Sequence, residues 1–295
     1  MGEPTVSADR SRVAIATAAE MSDLDDDGPA LLAALAALGV DAEPAVWDDP
    51  DIDWGAFDLV VIRSTWDYVD RYDQFLAWLE SVAAVTRLAN PLGIVRWNTD
   101  KRYLAELTAA GLPVVPTTWA EPGQSYELPP GEIVVKPAVS VGSRDTSRYL
   151  PEQAADAREH VDRLLAEGRT VMLQPYVSSV DARGETALLY LGGEYSHAIR
   201  KGPLLTVGAA PVEGLFAQED IQAREATPIE REVGDRALAA VPGGPAGLLY
   251  ARVDLVEDDA GDPIVLEVEL TEPSLFLDFC PGSVKRLAAA IAGLL

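Results

Sequence analysis

Arg252-Val253-Asp254-Leu255 and Leu266-Glu267-Val268-Glu269-Leu270 decide how this chain is read. Both are short apolar runs that read as strands, and the polar Glu257-Asp258-Asp259-Ala260-Gly261-Asp262-Pro263 between them reads as a hairpin connection. With Ala260-Gly261 as a two-residue turn, antiparallel pairing sets Asp254 opposite Glu267, and the period of two brings Glu269 to the same face. Three like charges then share one patch of sheet. At ~5 Å and an effective dielectric of about 20, each pair repels by roughly 3 kcal/mol. A hard cation removes that cost, and Mg2+, held by one or two carboxylates together with water and phosphate oxygens, suits such ligands. The competing reading is a solvated acidic hairpin. Against it, the flanking valines and leucines imply a half-buried strand pair, where unpaired carboxylates are expensive.

The bulk of the chain narrows the partners. At 295 residues and 48% hydrophobic composition it has apolar surface for two or three compact units. A formal charge of -25, from 23 Lys+Arg against 48 Asp+Glu, excludes nucleic acid and anionic membrane as general partners, because phosphate binding needs a basic footprint. Any phosphate must be met locally. Cys280 is the single cysteine and His160 and His197 the two histidines, so an internal disulfide and the usual zinc ligand sets are excluded and a reducing, cytoplasmic setting is expected. No apolar run reaches the ~18 residues of a membrane span. Residues 1–11 lack a signal-peptide core, and Met1-Gly2-Glu3-Pro4-Thr5-Val6 has Val where a myristoylation site needs Ser or Thr.

Alternating elements open the chain. Val13 to Thr17 reads as a strand, Pro29 to Leu38 as a helix stopped by Gly39, Ala45 to Trp47 and Leu59 to Arg63 as further strands, which together predict a small parallel sheet. The loop Ser64-Thr65-Trp66-Asp67-Tyr68 follows a strand's carboxyl end, where open α/β sheets bind ligands, and is a substrate-loop candidate. The loop after the first strand, Ala18 to Asp27, is acidic and has no glycine fingerprint, which argues against a dinucleotide dehydrogenase. A helix is expected from Asn98 or Thr99 as cap to just before Gly111, then an extended Pro113 to Trp119 and a connector at 120–130. Ile133 to Pro137 reads as a strand carrying Lys136, Pro151 to Gly168 as a helix, and Thr170 to Gln174 as a strand. Ala187 to Tyr190 and Glu194 to Arg200 form a hairpin around Gly192-Gly193. Thr227-Pro228-Ile229-Glu230 is a capping box, and Ser283 is expected to cap the last helix.

Two lysines stand where a polyphosphate could be gripped: Lys101 in the first turn of its helix, and Lys136 before the small, hydroxylated loop Ala138 to Thr146. Backbone N–H groups of Ser140, Gly142 and Ser143 could close over phosphates, although the loop is no Walker motif and a plain surface turn is the alternative. Gln174-Pro175-Tyr176-Val177 could meet a base edge, and Asp181 ribose hydroxyls; an ordinary crossing between units is the other reading. The adjacent Arg200-Lys201 pair and Arg252 could neutralise a transferring phosphoryl group or a substrate carboxylate, the alternatives being exposed basic residues and an ion pair.

The order Lys101, Lys136 and its loop, Gln174 to Val177, Glu185, Asp254, Glu267, Glu269 resembles the ATP-grasp superfamily of carboxylate-activating ligases over nearly the whole chain. The resemblance implies an α/β fold with an N-terminal Rossmann-like domain at 1–98 that binds substrate, a small central α+β lid domain at 99–180 and a C-terminal α+β domain at 181–295 that carries metal and substrate sites. It implies ATP held by Lys101, Lys136, Ser140, Gly142, Ser143, Gln174, Tyr176, Val177, Asp181 and Glu185, and two Mg2+ ions held by Asp254, Glu267 and Glu269. Many members carry Asn where Glu269 stands. The resemblance leaves a homodimer open as the assembly, which the sequence itself does not reveal.

Arg63-Ser64-Thr65-Trp66-Asp67-Tyr68, Val95 to Lys101, His197-Ala198-Ile199-Arg200-Lys201 and Glu269 to Phe276 are similar to the cyclo-ligases that close D-cycloserine from O-ureido-D-serine in antibiotic biosynthesis. That likeness implies a small amino-acid-derived substrate recognised by Ser64 to Tyr68, Glu272 and Ser274, with Arg200, Lys201 and Arg252 acting in catalysis through an acyl phosphate. An intermolecular amino-acid or peptide ligase could share the same ATP site, because the nucleophile pocket is built from loops with no assigned role. A non-catalytic nucleotide-binding protein is the third class, and it has no need of three acids.

Overall fold

The computed structural model describes residues 10–205 and 220–295. The start of the chain considered for lipidation and export therefore lies, up to residue 9, outside the described residues.

The first unit is a parallel sheet of β1 (Arg12–Thr17), β2 (Asp41–Val46), β3 (Leu59–Ser64) and β4 (Arg87–Ala89), in the order β2-β1-β3-β4, with helices α1 (Gly28–Ala37), α2 (Tyr72–Val85) and α3 (Leu92–Asn98). Period two sorts the strand residues between two cores. Val13, Ile15, Leu59 and Val61 pack with Leu31 and Leu35 of α1, while Ala14, Ala16, Val60 and Ile62 pack with Phe75, Trp78, Leu79 and Val82 of α2. Both faces are covered, so the central strands read as continuous apolar runs.

After the short helix α4 (Tyr103–Ala109) comes an antiparallel sheet of β5 (Thr118–Ala120), β6 (Ile133–Pro137), β7 (Ser147–Tyr149) and β8 (Val171–Pro175), ordered β5-β8-β6-β7 and covered by α5 (Ala154–Ala166) through Ala157, Val161 and Leu164. Helix α6 (Ser179–Arg183) leads into a five-stranded antiparallel sheet. Its strands are β9 (Glu185–Leu191), β10 (Glu194–Lys201), β11 (Ile221–Arg224), β12 (Tyr250–Glu257) and β13 (Pro263–Glu269), ordered β11-β10-β9-β12-β13. Helix α7 (Pro228–Ala239), opened by the expected reciprocal Thr227–Glu230 capping box, covers one face, and α8 (Ser283–Ala292) covers the other and also meets α1.

Three sequence expectations are corrected. The helix expected from Asn98 or Thr99 starts only at Tyr103 as α4, because α3 ends at Asn98, and Lys101 lies in the turn between the two rather than in a first helical turn. Asn98 does not cap a helix. Its buried amide donates to Val268 O at 2.7 Å and accepts from Leu270 N at 2.7 Å, extending the edge of β13. Ser283 stands inside its helix as the first residue, after Gly282, and donates to Leu277 O at 2.6 Å. The hairpin between β12 and β13 is a five-residue loop in which Asp258 Oδ1 accepts from Ala260 N and Asp262 N at 2.9 Å each. Asp254 nonetheless faces Glu267, because a bulge between Asp254 and Leu255 restores the register that the longer loop displaces.

Asn90 ties the first sheet to the third. Fully buried after β4, it donates to Tyr250 O at 2.9 Å and Leu270 O at 2.7 Å and accepts from Leu249 N at 2.6 Å. Asn90→Ala strands three buried polar groups and will lower unfolding free energy by about 3 kcal/mol, read by urea unfolding; a loss below about 1 kcal/mol would show that the three bonds are replaced by others.

Candidate active site

A cavity of about 650 Å³ opens where the three sheets meet, within the size range of small-molecule sites. At one end its walls are apolar: Val115, Val134, Val180, Val256 and Leu266, with the chain Gln174-Pro175-Tyr176-Val177 crossing beside them. Gln174 is buried and its amide donates to Thr117 Oγ1 at 2.9 Å, leaving the backbone of this crossing as its polar edge. Asp181 does not line the cavity. Its carboxylate receives Arg148 at 2.8 and 3.0 Å and the Tyr176 hydroxyl at 2.7 Å, and the Arg148 guanidinium stacks 3.4 Å above the Tyr176 ring.

The middle of the cavity is ionic. Asp254 from β12 and Glu267 and Glu269 from β13 all line it. Each acid meets bases. Glu267 lies 3.0 Å from Lys101 Nζ and 3.8 Å from Lys136 Nζ. Asp254 lies 2.7 Å from Lys201 Nζ and 2.9 Å from Arg252 Nε, Glu185 lies 2.8 Å from Lys201, and Glu269 pairs with Arg252. These pairs set the protonation states. Burial pushes Asp254 up, but Arg252 and Lys201 outweigh it and hold the carboxyl down at about 2. Glu267 is likewise held below its ordinary value, because Lys101 and Lys136 overcome burial. Glu269 is pushed up to about 7 by burial, which Arg252 and, more weakly, Lys201 oppose while Glu267 and Asp254 reinforce it. Burial also lowers Lys136, although Glu267 resists the shift.

Among the described residues no three His, Cys, Asp or Glu side chains cluster as a ready-made metal cage. The donor set still fits Mg2+, which uses few protein carboxylates and takes its remaining oxygens from water and phosphates. The lysine and arginine partners hold Asp254 and Glu267 in ionised form. Lys101 also donates to Ser140 O at 2.7 Å, so the same ammonium anchors the loop at 138–146 whose Ser140, Gly142 and Ser143 line the cavity. That loop reaches the first unit through Arg144 and Asp70, 2.7 Å apart.

The far end belongs to the substrate-loop candidates, and they divide. Trp66, Tyr68 and Glu272 line the cavity, and burial and Glu269 push the Glu272 carboxyl up to about 8 while the Tyr68 phenol opposes the shift. Ser64, Thr65 and Asp67 do not line it. Ser64 bonds Thr17 Oγ1 at 2.7 Å, Thr65 is fully buried, and Asp67 accepts from Trp47 Nε1 at 2.8 Å and pairs with Arg71. Of the adjacent Arg200 and Lys201, only Lys201 enters, because successive strand residues face opposite sides. Arg200 instead donates to Arg183 O at 2.6 Å.

Sequence reasoning passed over Asp25, Asp26 and Asp27 as site residues; they line the same cavity, and the buried Arg63 lies 2.7 Å from Asp25 and 4.0 Å from Asp27. Their position just past β1, at a strand's carboxyl end, was the available signal. Burial pushes Asp27 up to about 6 from 3.8, against Arg63 and the Leu277 N–H. A carboxyl that holds its proton more tightly when folded stabilises fully below its unfolded value, and that contribution is lost as pH rises through 6. Asp27→Asn will therefore raise stability at pH 8 by up to roughly 3 kcal/mol and leave it unchanged at pH 4. Thermal unfolding at the two pH values checks this; equal shifts at both would contradict it.

The segment after β13 forms the wall between these regions. From Leu270 to Phe276 every carbonyl oxygen lies 2.7 to 3.2 Å from a side-chain donor: in turn Asn90, Tyr250, Trp66, Arg63, Arg252, and His197 for the last two. An irregular strip of chain is thus held from both neighbouring sheets, while its Thr271, Glu272, Ser274 and Phe276 line the cavity.

Two buried lysines from separate segments that converge on one acid, an apolar slot beside a strand crossing, and three stacked sheets define an ATP-grasp ligase. The "ATP-grasp ligase PsnB complexed with phosphomimetic variant of minimal precursor, Mg, and ADP" has the same fold, with a TM-score of 0.60 at 19% identity, covering 97% of this chain and 99% of that one. The chain belongs to the D-cycloserine synthetase family. Residues 13–90 match the family described as "D-cycloserine synthetase DcsG, N-terminal domain". The cycloserine biosynthesis protein DcsG of Streptomyces lavendulae is 44% identical over 294 residues, spanning 95% of this chain and 97% of that protein. The crystal structure of D-cycloserine synthetase DcsG superposes with a TM-score of 0.88 at 43% identity, covering 97% of this chain and all of the other. The chain is accordingly an ATP-dependent ligase, with ATP and Mg2+ as its general requirements. Among the described residues no helix is long and apolar enough to cross a membrane.

Proposed function

We propose that this ligase closes the ring of an O-ureido-serine, with residues 1–98 and 181–295 enclosing the amino acid and 99–180 folding over ATP. The observation that carries this reading is the single cavity in which the bases Lys101, Lys136, Lys201 and Arg252 lie between an apolar slot and the Trp66, Tyr68 and Ser274 end. Adenine occupies the slot against Tyr176 and Val177, and the phosphates run along Lys101, Lys136 and the Ser140 to Ser143 backbone. Asp254, Glu267 and Glu269 would hold Mg2+, expected as two ions, which would supply neutralisation of the nucleotide's phosphate charge. A substrate carboxylate oxygen attacks the γ-phosphorus and ADP leaves. Lys201 and Arg252 face the charge that develops there, so positioning and neutralisation do most of the work. The ureido nitrogen of the same molecule then attacks the acyl carbon and releases phosphate, its proton passing to solvent or the departing phosphate. Water removes the carbamoyl group as carbon dioxide and ammonia.

The test supplies ATP and Mg2+ with O-ureido-D-serine alone, and separately with pairs of amino acids. Phosphate released one-for-one with ring product from the single substrate is expected. Release only when a second amine is present would replace cyclisation by intermolecular ligation.

A further inference from the structure

We propose that Phe276 decides which amino-acid derivatives the cavity accepts, and that His197 is the positioning residue that holds it there. The inference rests on the reading that this end of the cavity holds the amino-acid substrate. Phe276 takes a left-handed backbone conformation, φ 49° and ψ 45°, which side chains other than glycine's rarely adopt. A strained residue in a site wall points to a side chain that must face one way. Its ring lines the cavity, and the Arg252 guanidinium lies 5.7 Å from the ring centroid, within cation–π range. Arg252 also holds Asp254 and Glu269, so the ring sits between the ionic centre and the body of the substrate.

The turn is fixed from β10. His197 is buried, and its Nε2 lies 3.1 Å from Leu275 O and 3.2 Å from Phe276 O. Both neighbours are acceptors, so Nε2 carries the proton, and Nδ1 accepts from Ser196 Oγ at 2.9 Å. Arg286 on α8 donates to that same hydroxyl at 2.8 Å. The chain of bonds runs from a helix behind the sheet to the backbone of Phe276, and it makes no contact with the nucleotide end.

The experiment measures phosphate release with O-ureido-D-serine and with O-ureido-D-homoserine, one methylene longer. Phe276→Ala is expected to raise KM for the shorter substrate about tenfold and to raise the preference for the longer one by about tenfold, the scale of one methylene in a pocket. KM for ATP stays within about twofold. Phe276→Gly is expected to give the same KM change with a melting temperature no lower than wild type, because glycine relieves the left-handed strain. His197→Leu should raise KM for the amino acid alone, and His197→Gln, whose amide can donate from the Nε2 position, should restore most of it. Unchanged preference in Phe276→Ala, or equal rises in both KM values, overturns the role of Phe276. His197→Gln matching His197→Leu, with lowered melting temperature and unaltered KM, overturns the role of His197. Wild-type protein that releases no phosphate with either substrate overturns this inference together with the reading beneath it, whereas active wild type with indifferent variants overturns this inference alone.

Discussion

Arg252→Gln will reduce ligation by about a thousandfold, the upper range for losing one preorganised donor to a developing charge. The guanidinium serves four oxygens at once: Asp254 Oδ1 and Oδ2 at 2.9 and 3.1 Å, Ser274 O at 3.2 Å, and Glu269. Glutamine reaches at most one of them and brings no charge. Glu269, already pushed up by burial, loses the stronger of the two bases that oppose that shift, keeps only Lys201, and takes up a proton more readily. Asp254 keeps Lys201. Breaking buried pairs in this way also costs about 3 kcal/mol of stability, so urea unfolding must accompany the kinetics. Arg252→Lys should recover charge but not the planar fork, and so lie between the two. Activity of Arg252→Gln within about threefold of wild type would remove Arg252 from the chemistry.

Glu267→Gln will abolish ATP turnover to a similar extent while leaving the fold intact. The change alters almost no volume, yet it removes the one carboxylate lying between Lys101 and Lys136. Two buried ammonium groups then lose the acid that, among the described residues, both pair with, and the proposed metal site loses a ligand. Steady-state phosphate release and calorimetric titration with Mg2+ and a non-hydrolysable ATP analogue measure the two losses separately. Full turnover in this variant would contradict the metal assignment.

The elements that carry the site were legible where the signal is local. Apolar runs gave β1 and β3, the Thr227 to Glu230 capping box gave the start of α7, and the pairing of Asp254 with Glu267 followed from strand period and turn position. That pairing was right although the turn was not, since a bulge and a longer loop offset each other. What stayed hidden depends on partners far along the chain. Asn98 has the chemistry of a helix cap, but β13 lies 170 residues on and takes its amide instead. Arg200 and Lys201 look equivalent as neighbours, and only knowledge of which face of β10 meets Asp254 separates them. Asp181 has the right chemistry for ribose, yet Arg148 and Tyr176 hold it away from the cavity lining.

The run of anchored carbonyls from Leu270 to Phe276 bears on how such a chain can drift. Donors from four separate segments meet fixed rungs, so one added or deleted residue shifts every rung after it by a step and strands the remaining donors in a dry interior. Substitutions along this strip change one rung at a time, whereas indels change them all. Its length is therefore as tightly constrained as the chemistry it borders, and engineered variants should vary its side chains while keeping its residue count.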